Sequence, residues 1–157
     1  MTTMRYLFSS LLLAGFLLSS VASADDAKAE AIKEDRKKIE GKWQIVELVI
    51  QGNKSKDEDA AKFTVVNDDK GAWTLWSDDR KVAMGTSTFD PTTKPKTIDF
   101  TPSEGDAKGK QFFGIYQLEK NARKLCFAPS GKVRPTEFSS TAENQHIFVT
   151  LKRIKSE

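Results

Sequence analysis

The spacing of apolar residues changes at Gly41, and this change divides the chain into two parts. Before it, Ile32 and Ile39 lie on one face of a charged, alanine-rich segment, residues 25–40, which predicts an amphipathic helix. After it, residues 43–50 are apolar at almost every position, which is typical of a strand buried on both faces. We therefore predict a helical lead-in at 25–40 and a separate domain that starts at Gly41.

The rest of the chain is a series of short apolar runs separated by turn residues. The predicted strands are residues 43–50, 62–66, 72–76, 80–89, 97–101, 111–119, 124–128 and 146–154, with a further short extended piece at 134–138. A spacing of ~8–12 residues without long helices is the pattern of an all-β sandwich or barrel. Consecutive hairpins favour an eight-stranded antiparallel up-and-down barrel, since closure removes exposed edges. The sequence predicts one such domain over residues 41–157.

The first 24 residues have the order of a secretory signal peptide. Arg5 supplies a positive charge, residues 7–18 are apolar, and Ala22-Ser23-Ala24 fits a cleavage site for small residues. The apolar run is shorter than the ~20 residues that a spanning helix needs. We expect cleavage after residue 24 and export to the periplasm or the outside of the cell, with no membrane span left in the mature protein.

Composition and charge exclude some classes of partner. The 25 basic and 22 acidic residues are interspersed, so the chain has no single-sign patch of the kind that nucleic-acid binders use. The one cysteine, Cys126, cannot form an intramolecular disulfide, so hydrophobic burial must hold the fold together. We predict no nucleic-acid partner and a domain stabilised by its core alone.

No group of residues has the spacing of a catalytic or metal site. His146 is the only histidine and has no ligand neighbours in sequence, which favours a surface or rim position. Cys126 lies in an apolar strand and is predicted to be a small buried hydrophobe. The acidic clusters at 57–59, 68–69 and 78–79 are predicted to be solvated turns rather than calcium loops. We predict no enzyme, cofactor or metal; an enzyme using His146, Glu137 and Arg134 is the weakest alternative.

Gly41-Lys42-Trp43, followed by Lys152-Arg153 at the end of the last strand, resembles the lipocalin pattern. In lipocalins a glycine–x–tryptophan opens the first strand at the closed end of the barrel, and a basic residue of the last strand packs on the indole. A cation on an indole face contributes ~0.5–2 kcal/mol. The resemblance implies a structural barrel floor made of Gly41, Trp43 and either Lys152 or Arg153, with Arg153 preferred because it shares a face with Leu151.

A second resemblance extends over nearly all of the predicted mature chain. It is carried, in this order, by the segments Gly41-Lys42-Trp43-Gln44-Ile45-Val46, Pro95-Lys96-Thr97-Ile98-Asp99-Phe100-Thr101-Pro102, Gly114-Ile115-Tyr116-Gln117-Leu118, Leu125-Cys126-Phe127-Ala128-Pro129 and Arg134-Pro135-Thr136-Glu137-Phe138. These segments are similar to a lipocalin-like domain family that is abundant in planctomycete bacteria and has no established biochemical function. The resemblance implies the fold and often export, and it supplies no catalytic residues.

Aromatic residues suggest where a ligand would bind. Trp73 and Trp76 have opposite parity on one strand, so one is predicted to face the interior and the other the outside. A barrel of eight strands is either filled by its side chains or holds one small ligand, and this aromatic content favours a filled or narrow interior. The candidate ligand-binding residues, in the barrel interior or at its mouth, are Trp73, Phe112, Tyr116 and Arg134.

Two functions remain open at this point. The first is an exported lipocalin-like protein that binds a small apolar molecule. The alternative is a structural or protein-interaction module of the cell envelope, which uses the outward tryptophan and the loop around Arg134 and needs no small ligand. The volume and lining of the interior cavity distinguish the two, since a ligand site needs ~300 Å³ or more of mostly apolar space.

Overall fold

The computed structural model describes residues 23–155. The predicted signal sequence therefore lies outside the described residues, except for its last two positions, and residues 156–157 also lie outside them.

The described chain contains two helices and nine strands. In chain order they are α1 (Ala24–Ile39), β1 (Gly41–Ile50), β2 (Asn53–Lys54), α2 (Asp57–Ala60), β3 (Phe63–Asn67), β4 (Ala72–Ser77), β5 (Arg80–Asp90), β6 (Lys96–Pro102), β7 (Phe112–Leu118), β8 (Ala122–Phe127) and β9 (Ile147–Arg153). Neither helix is both long and apolar enough to cross a membrane.

Eight of the strands form a closed antiparallel barrel. From β3 to β9 each strand pairs with the next one in the chain, and β1 pairs with both β3 and β9. The short β2 pairs only with the end of β1. The predicted eight-stranded up-and-down barrel with a short N-terminal helix is confirmed.

One predicted element is wrong. Residues 134–138 form no strand and instead belong to the long connection 128–146 between β8 and β9. Pro135 cannot donate a ladder hydrogen bond, and Arg134 uses its side chain to hold this connection against the barrel. The other predicted strands agree with the observed ones to within one or two residues at each end.

Helix α1 lies across one end of the barrel, which we call the floor. Ser23 caps the helix in a reciprocal capping box with Asp26, in which the backbone N–H of each residue donates to the side chain of the other. The apolar residues of α1, Ile32 and Ile39, pack with Phe89, Ile98 and other residues of the lower barrel interior. The amphipathic stripe predicted from the sequence thus buries itself in the end of the barrel.

Two glycines on interior-facing positions leave room for aromatic rings. A Cβ added to Gly85 would lie 2.7 Å from the indole of Trp73 and 2.2 Å from the carbonyl oxygen of Thr101. A Cβ added to Gly114 would lie 2.3 Å from the ring of Phe127. Aromatic side chains therefore occupy the space that side chains at these two positions would take.

We predict that Gly85→Ala destabilises the protein by about 1–3 kcal/mol, the usual cost of overpacking a core. Gly85 does not have a positive φ, so the loss would come from the contacts of the new methyl group rather than from the backbone. Urea unfolding followed by far-UV circular dichroism measures the change. Thr86→Ala, at the exposed neighbouring position, is the control and should stay within about 0.5 kcal/mol of the wild type. Equal losses in the two variants would contradict the steric explanation.

Candidate functional site

The floor of the barrel is organised around Trp43, which is fully buried. The guanidinium groups of Arg153 and Arg123 lie 4.2 and 4.7 Å from the indole ring centre, which is the geometry of cation–π contacts. The indole N–H donates a hydrogen bond of 2.7 Å to the carbonyl oxygen of Ile39, the last residue of α1. Trp43 therefore joins the helix to the first and the last two strands.

Arg153 and Gly41 complete the floor. The Arg153 guanidinium donates to the carbonyl oxygen of Glu40 at 2.8 Å and also to that of Lys38. Gly41 has a φ of 112°, and a Cβ there would lie 2.9 Å from Nη1 of Arg153. Glycine is required on both counts, because other residues rarely adopt this φ and their side chains would collide with the guanidinium. The contacts assign Gly41, Trp43 and Arg153 to a structural role, with Arg153 rather than Lys152 on the indole.

Arg123 is a floor residue that the sequence analysis missed. Its side chain is buried among strands, and burial together with the neighbouring charge of Arg153 lowers its pKa to about 9. The alternation Arg123–Leu125–Phe127 could have identified Arg123, because it places all three residues on the interior face of β8. The predicted strand began at Lys124, two residues after the observed start of β8, so Arg123 lay outside it.

A buried carboxylate fixes α1 to the barrel at the same end. Asp35 accepts hydrogen bonds from the Tyr116 hydroxyl at 2.8 Å and from Nζ of Lys96 at 2.7 Å. Burial by itself raises the pKa of Asp35, but these two bonds and the charges of Lys96 and Lys38 outweigh it, so its pKa is lowered. Burial and the Asp35 carboxylate together raise the pKa of Tyr116. Tyr116 is therefore part of the helix attachment and does not face an open mouth.

The other two aromatic candidates lie inside the barrel in a packed group. Phe100 meets the Trp73 indole edge-on, with ring centres 5.5 Å apart, and it stacks on Phe112 at 4.6 Å. Phe127 packs edge-on against the same Phe100 ring at 4.6 Å. Two clefts of residues 23–155 lie on the outer wall rather than in this interior. Trp73 and Phe112 therefore lie in one aromatic cluster, joined by Phe100, that fills this part of the barrel interior.

Arg134 lies away from the interior, on the outer wall of β6 and β7. Its guanidinium pairs with Asp99, donates to the carbonyl oxygen of Gly114 at 2.7 Å and lies 5.1 Å from the Phe113 ring centre. These contacts hold the connection 128–146 against the barrel wall. Arg134 does so through Asp99 and the backbone, without an ion pair to Glu137.

The same connection covers the outer faces of β8 and β9. The Cys126 thiol lies 3.3 Å from the carbonyl oxygen of Ser139 and 3.9 Å from Nδ1 of His146, and Phe138 packs edge-on against Phe148. Cys126 is fully buried, and burial raises its pKa. Glu137 interacts with Ser139 rather than with His146 or Arg134. Residues 23–155 contain no group of three or more histidine, cysteine or carboxylate side chains placed to bind a metal.

An open cleft of about 450 Å³ lies on the outer wall of β1, β3 and β4, and we call it the outer cleft. Its lining residues are Lys42, Thr64, Val66, Thr74, Trp76, Asp78 and Asp79. Cross-strand pairing brings them together, since Thr64 is opposite Trp76 and Val66 is opposite both Lys42 and Thr74. Strand residues directly opposite each other have Cβ atoms ~4.5–5.5 Å apart, so these side chains form one continuous surface.

The rim of the outer cleft is the two-residue turn between β4 and β5. Asp78 has a φ of 51°, a left-handed conformation that aspartate tolerates better than most residues. Its backbone N–H donates to the carbonyl oxygen of Lys62 at 2.7 Å, which fixes the turn against the chain entering β3. The turn that carries the exposed carboxylates of Asp78 and Asp79 is therefore held in place beside Trp76.

Only some residues of the outer cleft could be identified from the sequence. It identified one outward tryptophan and the acidic turn 78–79, but the convergence of Lys42, Thr64 and Thr74 on Trp76 depends on strand register. Periodicity shows which face of a strand a residue occupies, not which residue lies opposite it. Trp73 lies inside and Trp76 outside.

Comparisons with protein-family models, curated proteins and solved structures found no match. The resemblance to the planctomycete lipocalin-like family therefore stays a prediction.

We predict that Asp35→Asn lowers the free energy of unfolding at neutral pH by about 1–3 kcal/mol, because it removes the charged acceptor of Lys96 and Tyr116. The pKa of Asp35 is lower in the folded protein than its ordinary 3.8, so the contribution is present above pH 3.8 and is lost as the pH falls through the folded value. Urea unfolding at several pH values measures the wild-type advantage.

Glu34→Gln, on the exposed side of α1, is the matched control and should leave the free energy of unfolding nearly unchanged at each pH. A wild-type advantage over Asp35→Asn that is the same at pH 2 and at pH 7 would contradict the assignment of a buried, charged Asp35.

Proposed function

We propose that this protein is an exported, non-catalytic binding module of the cell envelope that holds its partner on the outer wall of a filled barrel. One observation carries the proposal. The interior is packed with aromatic side chains, whereas the outer cleft beside Trp76 is open and has a volume of about 450 Å³.

The packing of the interior favours the outer wall over a small apolar ligand inside. A ligand between Trp73 and Phe112 would have to displace Phe100, which contacts both of them and Phe127. Protein interiors are close-packed, so such a displacement loses contacts on several sides at once. At the floor, α1 already occupies the position that an entering molecule would need.

The contacts of the reactive side chains support a binding role rather than catalysis. Asp35 accepts hydrogen bonds from Lys96 and Tyr116. The Cys126 thiol lies against the carbonyl oxygen of Ser139, under the connection 128–146. An active site needs a nucleophile or base beside open space that a substrate can enter. These groups instead hold elements of the fold together.

Export is part of the proposal and depends on the predicted signal peptide and on the resemblance to the planctomycete family. An exported protein works among envelope components and away from the metabolites of the cytoplasm. A rigid barrel with a cleft on its wall is suited to hold such a component without changing it.

We predict that the purified protein co-sediments with isolated envelopes of the producing organism and that Trp76→Ala lowers the bound fraction about tenfold, because the indole is the largest contact surface of the cleft. Sedimentation at several protein concentrations, with quantification of the pellet, measures the binding. Val82→Ala, a change at an exposed apolar residue that does not line the cleft, is the control and should bind like the wild type.

Two results would contradict the proposal. One is equal sedimentation of the wild type and Trp76→Ala, both shown to be folded by their thermal transitions. The other is saturable binding of a fatty acid or another apolar probe that quenches Trp73 fluorescence, because this would place the ligand inside the barrel.

A further inference from the structure

We propose that the outer cleft is a saccharide-binding site, in which the ring face of a neutral or N-acetylated sugar stacks on Trp76 and its hydroxyl groups bond to the polar side chains around it. The inference deepens the proposed function and rests on it.

The closed barrel limits the ways in which a partner can be recognised. Each of the eight barrel strands has a neighbour on both sides, and β1 pairs with β9 along nearly its whole length. An extended peptide that binds by adding a strand needs a free sheet edge, and closure removes such edges. A partner on the wall is therefore recognised by side chains.

The central side chain of the outer cleft is an aromatic platform. Trp76 is only partly buried, and it lies on β4 beside Thr74 and opposite Thr64, where the pairing of β4 with β5 shifts register. The hydrogen bonds of residues 23–155 use Trp43 and Trp73 as indole donors but not Trp76. One face of a pyranose ring consists of C–H groups with a slight positive charge, and the face of an indole is slightly negative, so the two surfaces attract each other.

The polar side chains around Trp76 offer both donors and acceptors. Thr64 and Thr74 contribute hydroxyl groups, Asp78 and Asp79 carboxylates, and Lys42 an ammonium group. Sugar hydroxyls donate and accept at once, so they need both kinds of partner at short range. A purely apolar ligand would leave these groups desolvated without hydrogen bonds, which costs free energy. A nucleic acid would bring phosphates against two carboxylates, which disfavours it.

The size and stiffness of the site also fit a saccharide. Its volume of about 450 Å³ falls within the range of about 300–1,000 Å³ usual for small-molecule clefts. Five of its seven lining residues lie on β1, β3 and β4, and the other two on a tight turn. Sites built on strands are held more precisely than sites on loops, so little conformational entropy is lost when a ligand binds.

The test is titration of the ¹⁵N-labelled purified protein with three soluble probes: the tetramers of β-1,4-linked glucose, α-1,4-linked glucose and β-1,4-linked N-acetylglucosamine. We expect at least one tetramer to shift the indole N–H resonance of Trp76 in a saturable way, while that of Trp73 stays in place. Thr74→Val, which keeps the shape but removes a hydroxyl, should raise the Kd about three- to tenfold. Trp76→Ala should abolish binding, and Val82→Ala should not change it.

The inference is overturned if none of the three tetramers shifts the Trp76 resonance, or if the Kd is the same in Thr74→Val and the wild type. Envelope sedimentation separates this failure from failure of the proposed function. If sedimentation depends on Trp76 but is lost after the envelopes are treated with protease, the partner is a protein and only the saccharide assignment fails. If sedimentation does not depend on Trp76, the proposed function fails as well.

Discussion

The burial of Trp43 is the constraint on which the rest of the structure depends. Its indole is in register with Arg153 where β1 and β9 close the barrel, and Arg123 reaches the same ring from β8. The buried guanidinium group of Arg123 beside the partly buried one of Arg153 would be unfavourable alone. The indole offsets part of the charge of both groups, and the carbonyl oxygens of Lys38 and Glu40, at the negative end of the α1 dipole, accept hydrogen bonds from Arg153. Helix attachment and barrel closure are thus one interaction.

The attachment of α1 decides what space is left for function. Because Ile32 and Ile39 enter the lower interior and the Phe100 group fills the region beyond it, little of the barrel interior is free. The outer wall is not free everywhere, since the connection 128–146 covers Cys126 and Phe148 on one side. Within residues 23–155 the wall of β1, β3 and β4 carries no such cover, and the outer cleft lies there.

The sequence predicted the fold well because the fold depends on local signals. Alternation and turn residues predicted all eight barrel strands, and Ile32 and Ile39 predicted the buried face of α1. The failures have one physical origin, which is contact between residues far apart in the chain. Arg134 looked like an element of the barrel mouth because nothing in the sequence shows that Asp99 lies beside it. Of the two arginines that contact Trp43, only Arg153 was predicted, because the lipocalin pattern supplied this pairing.

Closure also determines how selective a wall site of this kind can be. An open sheet binds partners through its backbone edge, which gives affinity with little regard to sequence, whereas a closed barrel must use side chains at fixed spacing. In the outer cleft, strand pairing sets that spacing between Thr64 and Trp76, and the left-handed Asp78 belongs to the tight turn that carries the carboxylates beside them. A ligand whose polar groups do not match these positions leaves a carboxylate or hydroxyl desolvated, and the cost falls on the mismatched ligand alone. At the proposed site, selectivity would therefore come from the polar rim, and the indole would supply most of the contact area.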